Sequence, residues 1–229
     1  MRFQAPESLS EQIAQHLGQR IIEGALSPGE RIQELKVAGD LDVSRGSVRE
    51  ALLILERRHL IHIYPRKGAV VSALSPELVT HLYDIYCGLL TMLATKVAEI
   101  WRGEDLSPML RQVQWLDERL SAPDVQPLEV IEGGFEVMRL AFEVVRNPFL
   151  EETLQNFRPA ISRTYYLALQ EYARESAATR VFFNELVKDV FDRNSSGVEA
   201  TIRRFRDHQL AIVLKSLEED RSLCSEPTS

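Results

Sequence analysis

Two arginines stand one helical turn apart near the start of a predicted helix, in the segment VSRGSVREAL at Val43–Leu52. Arg45 and Arg49 are able to pair with phosphate oxygens or with a guanine edge, and the amino end of a helix attracts phosphate. The hydroxyl of Ser47 lies between them in sequence. Gly46 also lies there, although glycine inside a helix costs roughly 1 kcal/mol relative to alanine. These residue types suggest a helix that approaches a polyanion closely, and a solvated helix face is the alternative.

Charge is unevenly distributed along the chain. The whole sequence carries 27 Lys and Arg against 34 Asp and Glu, a net charge of −7. Residues 1–75 hold 10 basic and 9 acidic side chains, whereas residues 76–229 hold 17 and 25. Between Arg45 and Lys67, six basic residues are opposed only by Glu50 and Glu56. This local excess on an acidic protein predicts one polyanion-facing surface. Pairing of the arginines with Glu50 and Glu56 is the alternative.

The first 75 residues have the hydrophobic patterns of three helices and a β-hairpin. The predicted elements are helices over 8–24, 34–41 and 44–58 and strands over 61–65 and 68–74. Ser44 is the predicted N-cap of the third helix, and a capping box that begins at Ser47 is the alternative start. Residues 66–68 form the turn of the hairpin. The pattern therefore predicts a winged helix-turn-helix with a two-stranded wing.

Residues 76–229 carry no strand pattern. Ser75 and Pro76 are typical of an N-cap and a first helical position, so a domain boundary is expected there. Six helices follow, over 76–101, 106–120, 126–146, 149–173, 177–193 and 197–217. Short connections favour antiparallel neighbours. The predicted fold is mostly α: a winged helix-turn-helix over 1–75, then an all-α antiparallel bundle of about six helices over 76–229.

The segment VSRGSVREAL, followed by Leu55-Glu56 and by PRKGAVV at 65–71, closely resembles the GntR family of bacterial transcription regulators. The order of the two domains resembles that family's FadR subgroup. The resemblance implies that the second and third helices and the wing tip contact operator DNA. Family members often read a base with an arginine in the second helix, where this chain offers Lys36. The candidate DNA-binding residues are Lys36, Ser44, Arg45, Gly46, Ser47, Arg49, Arg66, Lys67 and Gly68.

In the FadR subgroup the helical domain often holds a metal through an Asp, a His four residues later and two further His. Counted from the landmark Asn147-Pro148, these positions fall on Gly134, Met138, Leu186 or Val187, and His208. One histidine among apolar residues does not hold a transition metal. The comparison therefore predicts no metal and no cofactor, and a metal-dependent effector domain is the alternative.

The segment MRLAF at 138–142 resembles the metal-free branch of the subgroup, in which a bundle cavity takes a fatty acyl-coenzyme A. Polar side chains within apolar helices are candidates for effector contacts, because an arginine clamps carboxylates and phosphates. The candidate effector-binding residues are Met138, Arg139, Arg163, Tyr165 and His208. The alternatives are a surface position for the arginines, packing for the tyrosine and a bundle hydrogen bond for the histidine. A fatty acyl-coenzyme A and an organic acid are the candidate effectors.

Other classes of protein lack a positive signal in the sequence. The five histidines form no HExxH pattern, and neither a GxSxG motif nor a phosphate-binding glycine-rich loop occurs, so no enzyme is expected. No apolar run approaches the roughly 20 residues of a membrane helix, and the two cysteines are predicted to be reduced thiols of a cytoplasmic protein. The sequence predicts a homodimer that binds a pseudo-palindromic operator under the control of a small-molecule effector. A winged-helix module that binds proteins rather than an operator is the alternative.

Overall fold

The computed structural model describes residues 8–122, 124–171 and 175–224. These residues form two compact units: residues 155–163 group with the chain up to Leu74, and the remainder forms the second unit. The elements in chain order are α1 (Leu9–Ile22), β1 (Arg31–Ile32), α2 (Glu34–Asp40), α3 (Arg45–Arg57), β2 (Ile61–Tyr64), β3 (Gly68–Val71), α4 (Pro76–Ile100), a 3-10 helix (Gly103–Leu106), α5 (Ser107–Leu120), α6 (Pro127–Val145), α7 (Pro148–Glu171), α8 (Glu175–Phe191) and α9 (Ser195–Cys224). The predicted fold class, a winged helix-turn-helix followed by an all-α part, is confirmed.

The sheet of the first unit has one strand more than predicted. Strand β3 lies in the middle of three antiparallel strands in the order β1-β3-β2. Arg31 of β1 pairs with Val70, and Tyr64 of β2 pairs with Gly68. The sequence pattern does not predict β1, because two residues are too few to show the alternation of a strand. The added strand places Arg31 beside β3 of the wing.

Local hydrogen bonds fix the start of α3. The Ser44 side chain accepts a hydrogen bond from the backbone N–H of Ser47 at 3.1 Å, which confirms Ser44 as the N-cap. The apolar face of α3 packs against α1 in the core of the first unit. Its buried residues are Val48, Ala51, Leu52 and Leu55. Between α2 and α3, Asp42 has a φ of 50° and the N–H of Val43 donates to the carbonyl of Ala38. This tight turn sets the relative placement of the two helices.

Two helices of the second unit begin at side-chain caps, of which Ser75 was predicted. Ser75 accepts from the N–H of Leu78, and Pro76 is the first residue of α4. The Asn147 side chain accepts from the N–H groups of Phe149 and Leu150 and thereby caps α7. Helix α4 packs against α6, α8 and α9, while α5 packs against α6 and α8. Packed in this way, these helices enclose the interior of the second unit.

Gly133 allows α6 to lie close to α5. A Cβ atom at this position would lie 2.6 Å from Leu116 Cδ2 and 2.7 Å from Trp115 Cζ3. Carbon atoms do not approach so closely without displacement, so any larger residue would force the side chains of Leu116 and Trp115 to shift. Packing, and not the backbone angle, therefore favours glycine here.

Helix α4 qualifies the expectation of no membrane segment. Among the described residues it is the helix that is long and apolar enough to cross a membrane, judged by length and composition. One face of α4 is nevertheless buried among the neighbouring helices. Tyr83 on this face is completely buried, and its hydroxyl lies 3.0 Å from Thr164 Oγ1. A core helix of a soluble protein passes the same test, so this finding is weak evidence for a membrane segment.

Candidate functional site

The face of α3 opposite the core carries Arg45, Gly46, Ser47 and Arg49, which we call the α3 basic face. The side chains of Arg45 and Arg49 are 59% and 64% exposed. A Cβ atom at Gly46 would meet only Ser44 Oγ within 4 Å, at 3.6 Å. The glycine is therefore not required by packing within the protein. Gly46, which lies between the two arginines in the sequence, therefore leaves a gap in the surface that is open to a partner.

Both arginines of the α3 basic face pair with Glu34 at the start of α2. Arg49 Nη2 lies 2.9 Å from Glu34 Oε2, and Arg45 Nη2 lies 3.7 Å from the same oxygen. The hydrogen bond from Arg49, aided by both positive charges, lowers the pKa of the Glu34 carboxyl. Glu34 is thus an anion at neutral pH. The sequence pattern does not predict this partner, because Arg49 and Glu34 are 15 positions apart in the chain.

The two carboxylates within α3 have other hydrogen-bonding partners. Ser10 Oγ donates to Glu50 at 2.6 Å, and the N–H of Ile63 donates to Glu56 at 2.7 Å. These bonds connect α3 to α1 and to β2. The alternative in which Glu50 and Glu56 neutralise the arginines of their own helix is not what the structure shows.

The two serines at the start of α3 differ in their exposure. Ser44 is exposed and caps the helix, whereas Ser47 is half-buried in the first turn. Their hydroxyl oxygens lie 2.9 Å apart in a hydrogen bond. A hydroxyl can both donate and accept. Ser47 is therefore able to turn its proton towards an acceptor oxygen of a ligand without leaving the helix.

The wing places further cations at its tip. Arg66 and Lys67 are exposed in the turn between β2 and β3, and the Lys67 ammonium lies 5.6 Å from the centre of the Tyr64 ring. Gly68 has a φ of 79°, a conformation that favours glycine. The Arg31 guanidinium lies beside it, with Nε 3.7 Å from the position of a Gly68 Cβ. Arg31 is thus a functional candidate that the sequence analysis missed, together with the strand that carries it.

The remaining DNA-binding candidate, Lys36, lies in the middle of α2 and is exposed. It follows Glu34 by two residues, so the same short helix carries one cation and the anion that pairs with the α3 basic face. With Asp40 at its end, α2 carries one cation and two anions.

The second unit contains a cavity with a volume of about 130 Å³. Residues from α4 through α9 line it, and none of the lining residues in the described part of the chain is charged. Its polar lining residues are Tyr86, Tyr165, Thr179 and Gln209. The Tyr86 hydroxyl donates to Met138 Sδ at 3.6 Å. The interior of this unit is therefore an apolar pocket with a few hydrogen-bonding groups.

The five candidate effector residues separate into two groups. Met138 and Tyr165 line the cavity. Arg139 does not, because it pairs with Glu136 and Glu143 on the exposed side of α6. The structure also places Arg163 and His208 outside the lining. The amphipathic pattern of a helix did not reveal which polar residues face the interior.

Arg163 is buried within the first unit. Its Nη1 donates to the carbonyl oxygen of Ser72 at 2.8 Å, and burial lowers the pKa of the guanidinium to about 10. His208 is exposed on α9, while the neighbouring Gln209 is 4% exposed and lines the cavity. Two adjacent residues of α9 thus differ in location, with His208 at the surface and Gln209 at the cavity.

Of the positions at which metal-binding relatives were expected to hold ligands, all but His208 meet in space. Gly134, Met138, Leu186 and Val187 all line the cavity. None of these side chains offers the oxygen or nitrogen donors that divalent metals prefer. Within residues 8–122, 124–171 and 175–224, no three His, Cys, Asp or Glu side chains are grouped so that they could hold a metal ion. The donor set of this cavity does not fit a metal.

Comparison with known proteins is consistent with this geometry. Residues 9–71 match the family model described as bacterial regulatory proteins, gntR family. The gluconate operon transcriptional repressor of Bacillus subtilis (strain 168) is 24% identical over 216 residues, which cover 93% of this chain and 82% of the repressor. The matched family segment contains all nine candidate DNA-binding residues.

Solved structures share the fold. The E. coli protein McbR/YncC superposes with a TM-score of 0.70 at 20% identity, covering 93% of this chain and all of that one. A putative GntR transcriptional regulator from Rhodococcus sp. RHA1 superposes with a TM-score of 0.68 at 20% identity, covering 91% of this chain and 99% of that one. Both comparisons show similarity of fold.

Proposed function

We propose that this chain, which is a GntR-family transcription regulator with an N-terminal helix-turn-helix domain, binds its operator through the α3 basic face and the wing. The observation that carries this proposal is the open gap at Gly46 between two exposed arginines. A major groove admits an α-helix, and arginine pairs with guanine or with phosphate there. The amino end of α3 adds its own affinity for phosphate.

The cations of the first unit have distinct roles in this proposal. Arg45, Ser47 and Arg49 contact base edges or the adjoining phosphates, with the hydroxyl of Ser47 as donor or acceptor. Arg66 and Lys67 at the wing tip contact phosphate, and the positive φ of Gly68 lets the turn approach the DNA backbone. Phosphate contacts position a protein on the duplex and contacts with base edges determine the sequence that is read.

Helix α4 supports a homodimer. Leu78, Ile85 and Met92 recur every seven residues and are each more than half exposed, which is unusual for large apolar side chains in one stripe. A seven-residue apolar repeat is the pattern by which one helix packs against another copy of itself. A two-fold dimer presents two recognition helices, so the operator is expected to be pseudo-palindromic.

The proposed roles of the two domains follow the predicted boundary near Ser75, although residues 155–163 group with the first unit. Residues 1–75 serve as the DNA-binding domain, and residues 76–229 serve as the effector-binding and dimerisation domain of a cytoplasmic regulator of FadR type. An effector in the apolar cavity changes the affinity for the operator. A typical allosteric coupling of about 1–3 kcal/mol corresponds to a change of 5- to 150-fold.

Substitution of Arg49 by alanine tests DNA binding directly. The duplex for this experiment is selected from a random library with the wild-type protein. Arg49→Ala is expected to weaken binding at least tenfold and to lower the slope of log K against log salt by about one, because about 0.9 counterion is released for each phosphate contact. The matched control is Arg203→Ala, which removes an exposed arginine from the second unit. Equal affinity of the two variants would contradict the proposal, and a failure to select any duplex would favour the protein-binding alternative.

A further inference from the structure

The cavity of the second unit has a chemistry that selects its ligand. We infer that it binds a small uncharged molecule, about the size of one aromatic ring and with at most one or two hydrogen-bonding groups. The inference rests on the proposed function for its regulatory meaning, since it names the class of the effector. Binding itself is a property of the second unit and is measured without DNA.

The volume of the cavity limits the size of the ligand. It holds about 130 Å³. An engineered cavity of about 150 Å³ lined by Leu, Ile and Phe in another protein stays dry and binds benzene. A single ring with a small substituent is therefore the size that this cavity accepts without rearrangement.

The lining excludes a charged ligand. A carboxylate that leaves water without a cationic partner loses several kcal/mol of solvation free energy. The two arginines that were candidates for such a partner are engaged elsewhere: Arg139 pairs with Glu136 and Glu143, and Arg163 donates to the Ser72 carbonyl. An organic acid and the phosphates of a coenzyme A thioester thus find no counter-charge among the described lining residues.

The aromatic side chains of the lining favour a flat ligand. The rings of Phe182 and Phe205 are stacked with their centres 4.0 Å apart, and Phe183 meets Phe182 edge to face at 5.0 Å. Such rings attract a further aromatic ring by about 0.5–1.5 kcal/mol beyond the area that it buries. Gly134 makes room for this group, because a Cβ there would lie 3.2 Å from Phe183 Cζ. An aromatic ligand extends a stack that the protein already contains.

Three lining side chains supply hydrogen bonds for a neutral substituent. Gln209 is 4% exposed, and Thr179 is 7% exposed. Burial raises the pKa of the Tyr165 phenol well above its usual value, so this group stays neutral and is able to donate. An amide, a hydroxyl and a phenol match a hydroxyl or carbonyl on the ligand, and they do not neutralise a charge.

Calorimetric titration of the full-length protein at pH 7 with toluene, phenol and benzoate tests this inference. The three probes share one ring and differ in polarity and charge. Toluene and phenol are expected to bind at least tenfold more tightly than benzoate and to raise the melting temperature. Benzoate binding as tight as that of toluene would overturn the inference, and so would the absence of binding by both neutral probes.

Two phenylalanine substitutions on α8 locate the binding. Val187→Phe fills the cavity and is expected to lower the affinity for toluene at least tenfold, whereas Val181→Phe adds the same ring on the exposed side of the helix and leaves it unchanged. Leu186→Phe is the substitute if the first variant does not fold. Equal affinity of the filled and control variants would overturn the assignment to this cavity.

The polar end of the ligand is tested by Gln209→Leu. This variant is expected to lower the affinity for phenol severalfold while that for toluene remains. All of these titrations are read without DNA, so failure of the operator proposal leaves their outcome intact. Conversely, a protein that binds its selected duplex but neither neutral probe would refute the effector class alone.

Discussion

Gly46 provides the sharpest test of how α3 meets DNA, because its substitution separates folding from binding. A Cβ at this position meets only Ser44 Oγ, at the ordinary contact distance of 3.6 Å. Gly46 also follows the Ser44 cap with helical backbone angles. Replacement by alanine or leucine is therefore expected to raise the free energy of unfolding by up to about 1 kcal/mol through helix propensity. For a chain of this size that corresponds to roughly 2–4 °C in melting temperature.

The same substitution is expected to act in the opposite direction on DNA binding. A leucine side chain fills the gap between Arg45 and Arg49 and holds the helix away from the groove. A hydrogen bond from a charged group contributes about 1.5–3 kcal/mol. Loss of one such bond therefore weakens binding roughly tenfold to hundredfold, and loss of both weakens it further. Alanine is short, so Gly46→Ala is expected to lie between the wild type and Gly46→Leu.

Fluorescence anisotropy with the selected duplex measures this effect, while thermal unfolding reports the fold of each variant. Gly46→Ala is the control for helix propensity, since a single methyl group at this position meets only Ser44 Oγ. It is expected to raise stability as Gly46→Leu does and to weaken DNA binding less. A folded Gly46→Leu protein that binds the duplex within threefold of the wild type would refute the placement of this face in the groove.

Three further predictions follow from the described contacts. Glu34→Gln removes the anion that pairs with Arg45 and Arg49, so DNA affinity at low salt is expected to rise severalfold in the same anisotropy assay; a decrease would show that Glu34 orients the arginines rather than competing with DNA. Ile85→Glu places a charge in the exposed apolar stripe of α4 and is expected to convert the proposed dimer to a monomer in analytical ultracentrifugation. An unchanged sedimentation coefficient would refute the assignment of this stripe to the dimer interface. Gly133→Ala forces a Cβ against Leu116 and Trp115, so a loss of about 1–3 kcal/mol is expected from denaturant unfolding, and a neutral result would show that α5 and α6 yield freely.

The candidate DNA interface was largely predictable because its geometry is local. An N-cap such as Ser44 acts on a backbone N–H three residues away, and an apolar face repeats within two turns. The glycine and the arginines of α3 therefore received their positions on the helix from the sequence around them. What could not be predicted was the charge balance, since Glu34 reaches the α3 basic face across the turn between two helices.

The interior of the second unit was harder to predict. Its helices were recognisable from their caps and periodicity, and the apolar character of positions 134, 138, 186 and 187 was evident from the residues themselves. The orientation of polar side chains within those helices was not, because one residue along a helix rotates a side chain by about 100°. His208 and Gln209 show the consequence: adjacent in sequence, one is exposed and the other lines the cavity.

The sequence by itself therefore determined the order of the helices, the N-caps at Ser44 and Ser75, the hairpin of the wing and the basic residues of α3, since these depend on residues that are close together in the chain. Only the tertiary structure decided the third strand at Arg31, the pairing of Glu34 with α3 and the uncharged lining of the cavity. Each of these depends on residues that are distant in the chain and become neighbours when the helices pack. The gap at Gly46 belongs to both levels, because the residue type creates it and the surrounding fold leaves it open.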